Sequence, residues 1–293
     1  MKINTLTTFF LTISILITVS CSSDNKSSST STLTGEETTD KAPASPEMTT
    51  EEFAARYDDG IPVYYNMYLT VELSSLFENE GALYQENILN PVEKANQYIA
   101  SSEKALNLGV YAVDLVYARV FEQYQKAGSY FSAMYRLAEE LGIPEDFIYG
   151  TSDRLEQNIT NKDSLNKIAD EVYEVSRSYL KENDRESASA LIVLGGWIEA
   201  LYLASEVFDL ENENEDFEYM KRLEEQKISL KNLIQLLGQY NEDETIANLL
   251  PELKELQPIF EEFEVQPDNI NASVEQLKQI NGKVTEIRKQ IVN

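Results

Sequence analysis

The most apolar stretch of the chain beyond its N-terminal segment runs from Ser187 to Ser205, with the sequence SASALIVLGGWIEALYLAS. It holds a single charged side chain, Glu199, and it is rich in Ala and Leu, which favour helices. The run is too long for an ordinary strand, and as a helix it would have no polar side to face solvent. The pattern therefore predicts a central helix that is buried on nearly all sides and on which other helices pack.

Gly195 and Gly196 lie in the middle of this predicted helix. Two such glycines cost about 2 kcal/mol relative to alanine, and a close approach of another helix backbone would offset that cost. A transmembrane helix is the alternative interpretation, since about 20 apolar residues span a bilayer. Glu199 and the mainly acidic flanks disfavour it, because a charge at mid-membrane is costly and membrane flanks are commonly basic.

A second apolar helix is predicted over Ala105–Ala118, whose sequence ALNLGVYAVDLVYA contains one charge, Asp114. Its expected N-cap is Ser102, because a serine hydroxyl can accept from the first free amides of a helix. Pro91 suits the first turn of a preceding helix. Gly128 is expected to end the second apolar helix, and Gly142-Ile143-Pro144 predicts a stop and a restart after the next one.

The two apolar helices resemble each other in sequence. An ungapped shift of 86 residues aligns them and continues into the helix that follows each one. The match favours an internal duplication, about 101–141 and 187–227, that would give two pseudo-symmetric helical hairpins. Chance similarity between helical sequences of biased composition is the alternative. The matched residues include Gly109 with Gly195, Met134 with Met220 and Arg136 with Arg222.

Later segments also have helical spacing. Ile270–Val292 carries apolar residues at intervals of three and four, which predicts one helix with a single packing stripe. Phe217–Leu237 and Glu242–Phe263 are predicted helices, and two prolines are expected to kink or divide the second. We find no stretch with the alternation of a strand. Residues 51–293 are therefore predicted to be an all-α domain, a multi-helix bundle around two apolar central helices.

Composition excludes several classes of function. The 293 residues include 51 acidic and 24 basic side chains, a formal net charge of −27, so no nucleic-acid partner is expected. The absence of histidine excludes Ser–His–Asp and Cys–His catalysis, histidine metal sites and Glu-x-x-His di-iron sites. No cofactor or metal is predicted. Asp209–Glu218 superficially resembles a calcium loop, but it lacks the glycine at the sixth position and the glutamate at the twelfth.

The N-terminus has the pattern of an export signal. Lys2 precedes an apolar segment, Leu6–Val19, that is too short to span a bilayer. Thr18-Val19-Ser20-Cys21 then resembles the cleavage box of bacterial lipoproteins, and the only cysteine of the chain falls where that family attaches its lipid. Thr18 departs from the Leu that the family prefers. A plain secretory signal with an incidental cysteine is the alternative.

The resemblance implies that 1–20 is a signal peptide, that Cys21 becomes the acylated N-terminus, and that Ser22 directs the protein to the outer membrane. Residues 21–50 are predicted to be a lipidated tether, because Ser22–Thr50 is rich in Ser, Thr, Pro and acidic residues and has almost nothing to bury. The predicted location is the cell envelope.

The predicted body also resembles a group of proteins. The runs LGVYAVDLVYA, LGGWIEALYLA and NEDFEYMKRLEEQ are similar to those of uncharacterised all-helical lipoproteins of Gram-negative bacteria. This resemblance implies a lipid-anchored helical body and carries no particular activity.

Asp114 and Glu199 are the candidate site residues, because each is a lone carboxylate on a very apolar helix. A buried carboxylate needs a cation or hydrogen-bond donors, or it takes up a proton. Arg136 and Arg222 are the expected partners, and a structural arginine–carboxylate pair is favoured over a ligand site. Tyr111 and Trp197 could complete a ligand cavity with the two acids. The many tyrosines of the first half are expected to pack in the core rather than line a pocket.

Two functions remain open from the sequence. The first is a non-catalytic interaction or scaffold protein, anchored by lipid in the envelope, with an envelope protein as its partner. The alternative is a small-ligand-binding lipoprotein with a central cavity near Asp114 and Glu199. A sealed, arginine-bound centre favours the first, and an open cavity with unpaired carboxylates favours the second. An enzyme is not expected, because only carboxylates and tyrosines remain as acid–base groups.

Overall fold

The structure is a computed structural model that describes residues 83–157, 175–176, 178–207, 216–265 and 270–293, all within the unit Thr49–Asn293. These residues form helices with no strand among them, which confirms the predicted all-α bundle. Cys21, its signal segment and the predicted tether lie outside the described residues. The α-helices are α1 (Ser101–Val120), α2 (Tyr124–Glu140), α3 (Glu145–Gln157), α4 (Glu186–Val207), α5 (Asp216–Glu224), α6 (Gln226–Gly238), α7 (Glu244–Glu262) and α8 (Ile270–Val292).

Helix α4 is the predicted central helix, and it packs on α1, α6 and α8. Every residue over 194–201 is buried, which is more than two full helical turns without a solvent-facing side. By length and apolarity α4 could cross a membrane, yet 78% of its apolar window is buried by the protein itself. Contact with neighbouring helices therefore accounts for its composition.

Glycines bring α1 and α4 into backbone contact. A methyl group on Gly109 would lie 2.1 Å from the Ile192 carbonyl oxygen, and one on Gly195 would lie 2.0 Å from the Leu106 carbonyl oxygen. Neither position has room for a side chain, so the predicted close approach at Gly195 is confirmed. Lys104 of α1 and Arg185, just before α4, both bind Glu140. Further along, Asp114 of α1 interacts with Glu199 of α4, so the two helices run in the same direction.

The crossing is locally symmetric. Leu106 and Ile192 are separated by the same 86 residues as Gly109 and Gly195. The contact of Gly109 with the Ile192 carbonyl is therefore equivalent to the contact of Gly195 with the Leu106 carbonyl. The helices that follow, α2 and α5, differ in length, 17 residues against 9. The duplication itself stays a prediction, with the reciprocal glycine contact as its structural support.

Three predicted boundaries around α1 and α2 are wrong. Gly128 does not end a helix: α2 runs through it, and no atom lies within 4 Å of where its Cβ would be, so only helix propensity is lost there. The break falls at Glu122, whose φ is +56°. Ser102 lies inside α1, where the Glu103 carboxylate accepts from the amides of the preceding residues instead. After Pro91 the chain forms a short 3₁₀-helix, Val92–Asn96, rather than an α-helix.

The stop at Gly142 is confirmed. Its φ of +85° ends α2 in a conformation that favours glycine, and α3 begins three residues later.

The last helices close the bundle around α4. Helix α8 has the predicted bounds, and its stripe packs inward: Leu277, Ile280, Val284, Ile287 and Ile291 are all buried. Helix α7 continues through both of its prolines and is not divided. The segment predicted as one helix over Phe217–Leu237 is instead two helices, α5 and α6.

Candidate functional site

Three charged side chains meet in the interior where α1, α4 and α8 come together. Asp114 and Glu199 have no solvent-exposed surface, and Arg288 is 9% exposed. Arg288 Nε lies 2.7 Å from Glu199 Oε2, and the Nη2 of Arg288 lies 2.8 Å from Glu199 Oε1. This two-pronged geometry is the strong form of an arginine–carboxylate pair.

Arg288 makes two further contacts. Its Nη2 donates to the Ile88 carbonyl oxygen at 3.1 Å, and its guanidinium carbon stands 3.9 Å from the centre of the Tyr202 ring. Burial opposes the charged form, but the neighbouring Glu199 carboxylate outweighs it and raises the pKa of Arg288 above its usual range. The arginine therefore stays a cation in the core.

Among the described residues, Asp114 has no cation of its own. Its Oδ2 accepts from the Asn90 backbone amide at 3.2 Å, while its Oδ1 accepts from no N–H or O–H group in that part of the chain. Burial raises the pKa of Asp114 well above its usual range, and the negative charge of Glu199 is the next largest cause. The two carboxyl groups are within hydrogen-bonding reach of one another. Two carboxylates cannot hydrogen-bond, so an interaction between these groups requires a proton on one of them.

Polar groups from the residues before α1 and from the end of α8 surround the pair. The side-chain amide of Asn90 donates to Tyr98 Oη and to Asn107 Oδ1, both at 3.1 Å. Asn107 in turn donates to the Ile291 carbonyl oxygen at 3.0 Å, and Lys94 Nζ donates to the Val292 carbonyl oxygen at 2.8 Å. The last carbonyl groups of α8, which a helix cannot satisfy itself, are thus bound by residues near the start of the bundle.

The structure brings together the two predicted carboxyl groups but not the predicted arginines. Arg136 pairs with Glu140 on the same helix at 2.9 Å and is 46% exposed. Arg222 contacts Glu225 at 3.5 Å, also on the surface. The prediction that these arginines bind the two acids is wrong, because both side chains lie on outer helix faces, away from the α1–α4 contact.

Tyr111 and Trp197 occupy different surroundings. Tyr111 is fully buried, and its hydroxyl donates to the Pro91 carbonyl oxygen at 2.9 Å, next to the carboxyl pair. Trp197 donates to Gln226 Oε1 at 3.2 Å, and its ring packs 6.1 Å from Phe260, so it faces α6 and α7. Trp197 therefore faces away from the other three residues of the predicted cavity.

Of the tyrosines on α1 and α2, Tyr111, Tyr117 and Tyr130 are buried in the core, as predicted, whereas Tyr124 is 60% exposed. Tyr111 packs against Tyr98 and Tyr130, at ring-centre distances of 6.5 and 6.1 Å. Tyr117 packs against Phe121 at 4.8 Å. The tyrosines predicted upstream of residue 83 lie outside the described residues.

Sequence reasoning missed Arg288, although a local signal was present. Arg288 is four residues after Val284 and three before Ile291, so it lies on the same helix face as the buried stripe of α8. A basic residue at an inward position needs a buried acid, and Asp114 and Glu199 were the two predicted buried acids.

The cluster of Asp114, Glu199 and Arg288 can bind a proton and links segments that are distant in the sequence. It also keeps both carboxyl groups away from solvent. Among the described residues, no three His, Cys, Asp or Glu side chains are grouped to hold a metal ion. The predicted calcium-like segment lies mostly outside the described residues.

Comparison of the chain with protein-family models, with curated proteins and with solved structures finds no match.

Proposed function

We propose that this protein is a lipid-anchored protein of the cell envelope that acts without catalysis, as an interaction or scaffold protein, through its helical surface. The observation that carries the proposal is the two-pronged Arg288–Glu199 pair at a site where Asp114 and Glu199 are fully buried. Groups that bind a ligand or act on a substrate must reach it. The buried charged groups among the described residues instead interact with one another.

Anchoring through Cys21 supports the envelope part of the proposal. The box Thr18–Cys21 is followed by about 29 residues of tether-like composition. A flexible tether of that length reaches about 30 Å, by the square-root dependence of coil dimensions on length. Such a reach suits a body that meets a partner beside the membrane rather than one embedded in it.

The ligand-binding alternative has less support. It requires open, unpaired carboxylates, but Arg288 donates a hydrogen bond to each carboxylate oxygen of Glu199. Trp197, which was to complete the cavity, faces another part of the core. Catalysis also lacks support, since the chain has no histidine and its buried carboxyls do not meet solvent.

Native mass spectrometry of the protein, extracted gently from membranes of a Gram-negative host, tests the proposal. We expect a triacylated mass, a retained protein partner and no retained small molecule. A retained small molecule that is lost from an Asp114→Asn variant would favour the alternative. Monomer alone, under detergent conditions that preserve another envelope complex, would contradict the interaction role.

The anchor is tested separately with Cys21→Ser. We expect this variant to leave the membrane fraction while its helical circular dichroism spectrum is retained. Ser23→Ala is the matched control and should stay in the membrane. Equal membrane recovery of the wild type and Cys21→Ser would contradict lipid anchoring.

A further inference from the structure

The residues before α1 cover the buried carboxyl pair. We call residues 83–98 the strap; it contains two short 3₁₀ segments, and its inward side chains include Ile88 and Asn90. The strap touches the charged cluster at two points: the Asn90 amide donates to Asp114, and the Ile88 carbonyl accepts from Arg288. Both contacts are made by its backbone, so the state of the cluster acts directly on the strap.

The charge of the cluster balances with only one of the two acids ionised. Arg288 supplies one positive charge, and its two short hydrogen bonds place that charge on Glu199. A second carboxylate at Asp114 would leave one uncompensated negative charge in a sealed interior, which is strongly unfavourable. The packed cluster therefore requires the proton on Asp114.

We propose that Asp114 is a proton-dependent latch for the strap: a proton shared between Asp114 and Glu199 keeps residues 83–98 on the bundle, and loss of that proton releases them. The ionised form of Asp114 gains water when the strap leaves, because the strap packs against Asp114 through the Asn90 amide. The strap contributes buried side chains such as Leu89 to the apolar core, so release gives up their burial. The bundle itself persists, since α1 and α4 remain joined by their glycine contact.

The other ionisable groups around Asp114 are two ion pairs and a set of buried phenols. Glu199 and Arg288 are paired, and Glu86 of the strap pairs at the surface with Lys126 of α2. Burial raises the pKa of each neighbouring phenol, so the tyrosines stay neutral to strongly alkaline pH. These phenols are Tyr84 on the strap, Tyr98, Tyr111 on α1, Tyr130 on α2 and Tyr202 on α4.

The direction of the pH effect follows from the raised pKa of Asp114 in the closed state. With the strap open, Asp114 meets water and its pKa returns towards the ordinary carboxyl range. Between these two pKa values the closed state holds one proton more than the open state. Opening therefore becomes about tenfold more favourable for each unit of rising pH within that interval.

Amide hydrogen exchange on the full-length lipidated protein in detergent tests the latch. The reporter is the Asn90 amide with its strap neighbours, and the reference is α7, which makes no contact with the cluster. Asp114→Asn is the test variant, because its amide can donate to Glu199 at any pH. Glu140→Gln is the control, because it removes a surface carboxyl that is paired with Lys104 and Arg136.

Relative to Asp114→Asn, we expect wild-type strap protection to fall about tenfold per pH unit between the ordinary carboxyl pKa and the raised pKa of Asp114 in the closed state. Glu140→Gln should follow the wild type, and α7 should stay protected in all three proteins. Identical pH dependence of the strap in wild type and Asp114→Asn would overturn the latch. So would exchange of the strap and α7 in parallel, which would mean global unfolding.

A second measurement keeps the proposal testable if Asp114→Asn does not fold. Infrared spectroscopy of the wild type labelled with ¹³C-aspartate should show a protonated carboxyl band at about pH 6, where ordinary aspartates are ionised. The band should disappear over the same pH range in which the strap loses protection. Absence of the band at about pH 6 would overturn the proposal.

Discussion

Arg288 donates two hydrogen bonds to Glu199 and one to the Ile88 carbonyl, in an interior nearly closed to water. Such a pair contributes little net stability when formed, because removing both charges from water costs about as much as their attraction returns. Loss of one partner is different, since the other charge then remains buried and unpaired. The cluster therefore acts mainly as a constraint on which parts of the chain can meet.

Substitution of Arg288 should expose this asymmetry. We expect Arg288→Met to lower the free energy of unfolding by about 3–5 kcal/mol, because Glu199 is left without its cation. Arg136→Met, at a surface arginine, should change it by less than about 0.5 kcal/mol. The measurement is urea denaturation followed by circular dichroism.

The double variant Glu199→Leu/Arg288→Met is the further control. It should recover part of the lost stability, because no charge is left unpaired even though Asp114 and the Ile88 carbonyl lose their partners. Equal effects of Arg288→Met and Arg136→Met would contradict a buried pair.

A second residue-level prediction concerns pH. Because the pKa of Asp114 is raised in the folded state, folding takes up a proton above the ordinary carboxyl range, and stability must fall as pH rises. Relative to Asp114→Asn, the free energy of unfolding of the wild type should fall by about 1.4 kcal/mol per pH unit until the folded-state pKa is passed. Urea midpoints at several pH values measure this. A free energy of unfolding that rises with pH in the wild type relative to Asp114→Asn would refute the prediction.

At the level of helices, glycine has two opposite roles in this chain. Gly109 and Gly195 lie where two backbones touch, so the absent Cβ permits the contact. Gly128 faces open space in α2, where it only weakens the helix. A sequence pattern shows where the glycines are but not which side of the helix another backbone will approach. For that reason Gly195 was assigned correctly and Gly128 was not.

Alanine substitutions should separate these two roles. Gly109→Ala should destabilise the protein by about 1–3 kcal/mol or more, since its methyl group would overlap the Ile192 carbonyl. Gly128→Ala should stabilise it by about 0.5–1 kcal/mol through helix propensity alone. Thermal unfolding by calorimetry distinguishes the two. A stabilising Gly109→Ala would mean that α1 and α4 are not in backbone contact.

At the scale of the whole molecule, the net charge of −27 destabilises the compact state, because like charges repel one another. Ion pairs seen on the described surface, such as Lys283 with Glu252 and Glu255, offset a small part of it. The excess acid disfavours association with other acidic surfaces. It also makes stability depend on ionic strength.

We expect sodium chloride to raise the melting temperature at neutral pH. Between about 0.01 M and 0.1 M salt the screening length falls from about 30 Å to about 10 Å, which suppresses repulsion across the molecule. The matched control is the same titration near the sequence pI of about 4.3, where net charge vanishes and the effect should disappear. A melting temperature that falls with salt at neutral pH would contradict the argument.

The sequence by itself determined the helical class, the central position of α4, the bounds of α8 and the burial of Asp114 and Glu199. These follow from local composition and periodicity, because an apolar helix with one charge must bury that charge. Only the tertiary structure decided that Arg288 is the partner, that the strap covers the pair and that Trp197 faces elsewhere. Glu199 and Arg288 are 89 residues apart in the chain. A pairing of that range depends on how helices cross, which no local pattern encodes.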